Sequence, residues 1–514
     1  MGLQILALAG AGIIGALFAR LLMSWAVIYY KKTFKYSREH GCELPPKYPQ
    51  NERFIGYQII GEGTKAAAEK RVLEMSMGRY DTTGHTYTVA AMGSTIFLTR
   101  DPENIKTVLA TNFKDFGLGQ RIYAFGPLLG HGIFTSDGAH WEHSRALIRP
   151  NFNKAHLANF ESAETHFQHL VAKVPTDGST VDLQPLFFNM TLDSATEFLF
   201  GQSIDSQLAA EGSESEKFSH AFDYAQVRVQ HRNRVGRLAS LIPDPEFKAA
   251  CETVHAFADR YVAKTLKNRD QEKSSLVDME KVGEKKRYVF LDEVAKETSD
   301  PKQLCDEMLN ILLAGRDTTA GLLGNVFHCL ARHPKVWKKL MAEVDELEGK
   351  IPNYETLRDM KYLKFVLNEA LRLYPGIPTN ARIALKDTIL PRGGGPTGTA
   401  PVFVPKDSLV VYSTYSMHRR RDIYGDNADE FIPERWAADA PTGPLRPGWG
   451  YLPFNGGPRI CVGQQYALTE ASYTIVRLLQ TYGSIENRDG EPWVEGYGLT
   501  LCSGNGAKVA LKLR

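Results

Sequence analysis

The run Phe454-Asn-Gly-Gly457-Pro-Arg459-Ile-Cys461-Val-Gly463 sets one cysteine in a loop rich in glycine and proline, just before the helical pattern Gln464–Gln480. As a thiolate, a cysteine so placed could be the axial ligand of a haem iron, where it pushes electron density that favours O–O cleavage. The neighbours suit that task. Gly457 and Gly463 allow positive φ and let the backbone pass close to a flat cofactor. Arg459 offers a charged donor to a haem propionate. The start of the following helix points N–H groups and its dipole at the sulfur, which lowers the thiol pKa. A lone Cys-x-Gly would read as a buried structural cysteine beside a turn. Here Phe454, Gly457, Arg459, Cys461 and Gly463 all match Phe-x-x-Gly-x-Arg-x-Cys-x-Gly. At roughly 5% usage per residue type, on the order of 10⁻⁴ such matches arise by chance in a chain this long.

A second group of polar residues, Ala314-Gly315-Arg316-Asp317-Thr318-Thr319, interrupts an apolar helical pattern running from about Lys302 to His333 and stopped by Pro334. Polar groups there are costly unless paired. A threonine hydroxyl can bond back to the i−4 carbonyl and open the helix. A carboxylate beside a hydroxyl in a dry pocket can relay the protons that oxygen activation consumes. Two further patterns place charge on helix faces. Glu369 and Arg372 stand at i, i+3, and Trp141 and Arg145 at i, i+4, the latter on a helix ending near Pro150. Read alone, both are ordinary surface arginines.

Together these stretches, in this order from Thr86 to Leu501, resemble the cytochrome P-450 superfamily of haem-thiolate monooxygenases. The resemblance implies a mainly α fold with small β-sheets: a single large haem domain, residues 45–514, behind an N-terminal membrane anchor and hinge, residues 1–44. It implies haem b as cofactor and Cys461 as the metal ligand. Trp141, Arg145, Arg382, Phe454, Arg459 and Gly463 become cofactor-binding residues, and Asp317 and Thr318 the distal proton relay. It also implies a buried network joining Glu369 and Arg372 to the arginine of Pro433-Glu434-Arg435-Trp436 and propping the haem loop. Arg372-Leu-Tyr-Pro375, Pro378-x-Asn380-x-Arg382, Leu390-Pro-Arg-Gly-Gly-Gly395 and His418-Arg-Arg-Arg-Asp-Ile-Tyr-Gly425 look like the fungal microsomal group that hydroxylates n-alkanes and fatty acids. That group often has Ala where this chain has Gly456.

The implied substrates are O₂ and a hydrophobic molecule. No Gly-rich nucleotide motif follows a strand, so electrons come from a partner, by resemblance an NADPH-cytochrome P-450 reductase, with Arg149, Lys335, Lys338 and Lys339 as candidate docking charges. The alternatives are a monooxygenase of sterols, aromatics or xenobiotics, a haem-thiolate isomerase and a haem sensor. The costly Asp317-Thr318 pair argues against the last two.

The rest of the chain supplies the frame. Its 514 residues can bury a large core, and a net charge of +2 gives no sign of nucleic acid as a partner. Six cysteines, at 42, 251, 305, 329, 461 and 502, form no Cys-x-x-Cys and suit a reducing compartment. Leu3–Tyr30 is almost wholly apolar, interrupted by Arg20, long enough to span a bilayer, and followed by Lys31, Lys32 and Lys35. This predicts a single-pass anchor in the endoplasmic reticulum membrane with the catalytic domain cytosolic. Asn268–Asp300 reads as a charged surface connection, and Pro391–Pro405 and Ala437–Pro447 read as loops. Thr86–Leu98 and Val402–Val411 read as short β patterns. The apolar stretch Phe113–Phe134 is the expected cap of the substrate pocket.

Overall fold

The computed structural model describes residues 20, 34–152, 160–275, 288–440, 443 and 445–514. The expected anchor Leu3–Tyr30 therefore lies, Arg20 apart, outside the described residues. Among the described residues no helix is long and apolar enough to cross a membrane. The chain forms two compact units. The first takes the described residues within Met1–Ile60, Gly78–Gly117 and Ala381–Tyr412. The second takes Gly61–Met77, Leu118–Asn380 and Ser413–Arg514.

The first unit is built on sheet. Thr86–Leu98, read as one β pattern, is a hairpin of β1 (Thr86–Ala91) and β2 (Ser94–Thr99). Met92 and Gly93 both take positive φ at its two-residue turn, whose twist matches that of the strands. A five-stranded sheet follows, in the order β1, β2, β7 (Leu409–Ser413), β4 (Thr379–Ala384), β3 (Phe116–Gly117). The expected loop Pro391–Pro405 is instead most of a second hairpin, β5 (Thr388–Gly394) with β6 (Ala400–Val404). Its glycines mislead because they serve close approach inside the ladder: a Cβ on Gly393 would stand 2.4 Å from that of Thr86. Phe97, Val108, Phe116, Leu390, Val402 and Val410 are buried among these strands.

The second unit is mainly helical, as the patterning predicts. Its axis is the helix expected over Lys302–His333. The helices that matter for the site are α1 (Arg121–Leu129), α2 (Gly138–Ile148), α3 (Leu183–Phe200), α4 (Glu214–Asn233), α5 (Pro245–Ser275), α6 (Pro301–Arg332), α7 (Lys361–Leu373) and α8 (Gln464–Thr481). At α6 the Asp300 carboxylate caps the start by accepting from the Lys302 N–H at 2.9 Å, and Pro334 follows its end. Thirty-two residues make it about 48 Å long. Core residues such as Phe187 of α3, Leu323 and Phe327 of α6, Leu367 of α7 and Ile475 of α8 pack around it. The expected connection Asn268–Asp300 contains more structure than its charge suggests. α5 runs through it to Ser275, and Phe290–Glu297 is a helix that buries Phe290, Leu291 and Val294 beneath a charged face.

The expected buried network is present in this unit. Arg372 and Glu369 are both fully buried and paired at 2.8 Å. Glu369 also accepts from Arg435 at 2.8 Å, from the Trp436 indole at 2.9 Å and from the Ile432 N–H at 3.0 Å. Arg372 donates to the carbonyls of His418, Ala428 and Glu430. From here hydrogen bonds lead to the cysteine loop. Tyr451 donates to the Asn368 carbonyl at 3.0 Å, the Leu452 N–H donates to His418 at 2.8 Å, and Tyr424 donates to the Gly450 carbonyl at 2.9 Å. The segment leading into Phe454 is therefore fastened to α7 before the loop begins.

Candidate active site

The loop closes on itself. The Cys461 N–H donates to the Phe454 carbonyl at 3.0 Å, and the Ile460 N–H to that of Gly457 at 3.0 Å. Gly457 has φ +65°, as expected, but Gly463 has φ −88° and caps α8 from ordinary backbone space. A Cβ there would make only ordinary contact, 3.7 Å from the Phe152 ring and 4.0 Å from Cys461 Sγ, so neither φ nor crowding among the described residues calls for a glycine. Gly456 departs from the group's common Ala because Trp449 fills that space, with a ring carbon 2.7 Å from where a Cβ would stand.

The expected lowering of the Cys461 thiol pKa is only part of the balance. Burial pushes the free thiol up, while the Gly463 N–H and the Arg145 charge pull it down. Cys461 nevertheless keeps accessible surface. A cysteine desolvated by its surroundings yet still accessible leaves room for a group to bind it, which fits a flat macrocycle. Metal coordination then supplies the positive charge that deprotonates a buried thiol.

The donor set fits the acidic edge of such a macrocycle. Trp141 is buried on α2, with the Arg459 guanidinium 4.3 Å from its ring centre and that of Arg145 at 5.9 Å. Arg459 is fixed by Asp137 at 2.6 Å and the Ser136 carbonyl at 3.0 Å. Arg145 is half-buried and has no ion pair within the second unit's described residues, so it is the cation best placed to receive an outside carboxylate. Arg382 belongs to the first unit. There it is buried on β4, donates to the Ala381 carbonyl at 2.7 Å and lies 5.9 Å from the Tyr412 ring centre.

On α6, Ala314, Gly315 and Thr318 keep accessible surface while Arg316, Asp317 and Thr319 are buried. Thr318 donates to the Ala314 carbonyl at 2.7 Å, the expected back-bond. Asp317 lies 3.2 Å from Arg316, which also pairs with Asp223 of α4 and packs over the rings of Phe188 and Phe222. Burial pushes Asp317 up to about 6, against the pull of Arg316 and of Gln226 on α4. This clamp was not anticipated, because a pairing across 93 residues leaves no local trace. A cavity of about 330 Å³ lined by Pro127, Arg232, Asp244, Cys251 and His255 shares no residue with the site.

Comparison with known proteins agrees with this geometry. The cytochrome P450 family matches residues 53–500. The cytochrome P450 monooxygenase himC of Aspergillus japonicus is 46% identical over 96% of this chain and 89% of its own length. Cytochrome P450 52A13 of Debaryomyces hansenii is 42% identical over 96% of both chains, and cytochrome P450 52A3-B of Candida maltosa is 43% identical over 92% of this chain and 91% of its own. A cysteine in a closed loop before a helix, a guanidinium–indole cradle and a polar break in a buried helix thus accompany a match across most of the sequence, and the chain belongs to the cytochrome P450 family, as a monooxygenase with haem b held by a cysteine thiolate.

Proposed function

We propose that this enzyme hydroxylates long apolar chains, n-alkanes and fatty acids, at or near the terminal methyl. The observation that carries the reading is the apolar, anchor-poor character of the accessible residues. In α6 these are Ala314, Gly315 and Thr318, whose hydroxyl is turned to its own helix. In the expected cap, Phe113, Ile122, Tyr123, Phe125 and Phe134 keep accessible surface, only Tyr123 of them carrying a polar group, whereas Leu118, Leu128, Leu129 and Ile133 are packed away. A pocket with few polar anchors suits a hydrocarbon. The subgroup motifs and the similarity to the 52A proteins support the same substrate class.

Haem b, when bound, supplies the oxygen and redox chemistry, turning O₂, two electrons, two protons and a C–H bond into an alcohol and water. Cys461 would hold it through its sulfur, in a loop closed by the Cys461 N–H bond to the Phe454 carbonyl and by the Gly463 backbone. Trp141, Arg145 and Arg459 would bind its propionates. The assignment of Arg382 to that edge rests on its motif alone. Asp317 and Thr318 move protons. Asp317 takes one while clamped between Arg316 and Gln226, and the Thr318 hydroxyl passes it on when its bond to Ala314 opens. Near neutral pH a group with pKa about 6 can both hold and release a proton. Electrons come from an NADPH-cytochrome P-450 reductase. Arg149, Lys335 and Lys338 are exposed and suit docking, whereas Lys339 is already paired with Glu434 at 2.6 Å.

The apolar N-terminus with its trailing lysines supports a single-pass anchor in the endoplasmic reticulum membrane. Removing residues 1–44 should move the protein from the carbonate-resistant membrane fraction to a washable or soluble one, and resistance that survives removal contradicts the anchor.

The relay is tested with Thr318→Ala. The variant should keep its haem and consume NADPH while product per NADPH falls by roughly 10-fold or more and peroxide accumulates. Full coupling at the normal rate would show the hydroxyl to be dispensable. Mass spectrometry of products from dodecane, long-chain fatty acids, a sterol and an aromatic compound tests the substrate. Terminal or near-terminal alcohols are expected. Turnover of the sterol or aromatic alone would overturn the hydrocarbon assignment and leave the monooxygenase intact.

A further inference from the structure

Glu307 of α6 is a buried acid to which the reaction assigns no task. It has no accessible surface, and neither carboxylate oxygen has a hydrogen-bond partner among the described residues. An unpaired charge in such a place is costly. The surroundings are polar. Ser144 of α2 is fully buried, and its hydroxyl also lacks a partner. Ser144 and the Ile133 N–H are both near enough to favour the ionised carboxylate, though neither reaches hydrogen-bond geometry with it. A hydroxyl and an amide N–H next to a carboxyl suit water, which can donate and accept. An N–H donor opposes a metal cation.

The fold holds this nook firmly. On either side of Glu307, Asp306 accepts from the His131 N–H at 2.9 Å and Asn310 accepts from the Phe134 N–H at 3.1 Å. The turn lies flat on α6: a Cβ on Gly132 would meet the Asn310 amide at 2.3 Å. The same pieces build the cradle. Ser144 sits on α2 beside Arg145 and one turn from Trp141, and the 133–137 turn presents the Ser136 carbonyl and Asp137 to Arg459. Glu307 precedes Ala314 by seven residues and Thr318 by eleven, so it shares their face of α6.

We propose that Glu307, bridged by ordered water to Ser144 and the Ile133 amide, is a positioning residue that keeps a proton behind the Trp141–Arg145–Arg459 cradle and so sets the field at the haem edge. The groups that bear on it are few. Burial pushes it up to about 7, His140 of α2 favours its ionised form, and Asp306 of its own helix opposes it. Lys302 pairs with Asp306 at 3.1 Å. On α5, Asp259 acts on neighbouring Cys305, and His255 bonds to the Leu128 carbonyl at 2.8 Å. When Glu307 ionises, a negative charge appears in a region of low dielectric. That charge favours the oxidised, more positive haem and lowers its reduction potential.

The test is a spectroelectrochemical titration of the purified full-length holoenzyme from pH 6 to pH 9. The wild-type midpoint potential should fall through an inflection near neutral pH. Glu307→Gln should lose the inflection near pH 7 at an unchanged haem content, with any inflection from Asp317 remaining near pH 6. An inflection near pH 7 that persists in Glu307→Gln overturns the proposal. If that variant does not fold, the wild-type protein decides: a potential without an inflection, or an infrared spectrum with no protonated buried carboxyl at pH 6 that ionises by pH 9, overturns it equally.

Discussion

The path of the chain into the cysteine loop depends on one carboxylate that cannot leave. Glu369 is fully buried and accepts from Arg372, Arg435, the Trp436 indole and the Ile432 amide. Removing one partner of such a network costs about 3–5 kcal/mol, because the remaining charges stay buried and unpaired. That cost makes the arrangement rigid. Arg372 gathers carbonyls from His418, Ala428 and Glu430, and His418 and Tyr451 carry the constraint to Leu452 and α7. The cysteine loop starts two residues later, from a fixed point. The course of the chain into the cysteine loop is thus set by groups outside the loop.

Opposite requirements meet at Cys461 and Asp317. Burial raises the pKa of both. For the cysteine this leaves deprotonation to the metal, with Arg145 and the Gly463 amide helping. For the aspartate it brings the pKa close to working pH, as the proposed proton relay requires. Arg316 limits that rise while Asp223 adds to it, and the Arg316–Asp223 pair ties α6 to α4. The polar break in α6 is thus stabilised from outside the helix, while its accessible side remains apolar.

Much of this could be read from residue order. The spacing around Cys461, the limits of α6, the Glu369–Arg372–Arg435 set and the Trp141–Arg145 pair all appear where their motifs predict, because each is a local pattern of side chains with a local geometric meaning. What could not be read depended on distant neighbours. Gly463 looked like a residue needed for positive φ, but its φ is −88° and a Cβ would meet the Phe152 ring only at ordinary contact distance. Gly393 and Gly394 looked like loop, but they continue β5, where Thr86 comes too close to leave room for a Cβ on Gly393. Asn268–Asp300 looked like a charged connection, but its apolar stripe has a core to face. Asp223, Gln226 and Glu307 gave no signal, since their roles exist only once α4, α2 and α6 are packed.

The reduced, carbon monoxide-bound absorption spectrum of Cys461→Ala tests the central claim most directly, because that spectrum distinguishes a thiolate ligand from any other. Wild-type protein should show the thiolate-type Soret band, and the variant should lose it while its fold, followed by far-ultraviolet circular dichroism, is retained. A folded variant that keeps the thiolate band would contradict the account, since the ligand would then have to be one of the cysteines at 42, 251, 305, 329 or 502.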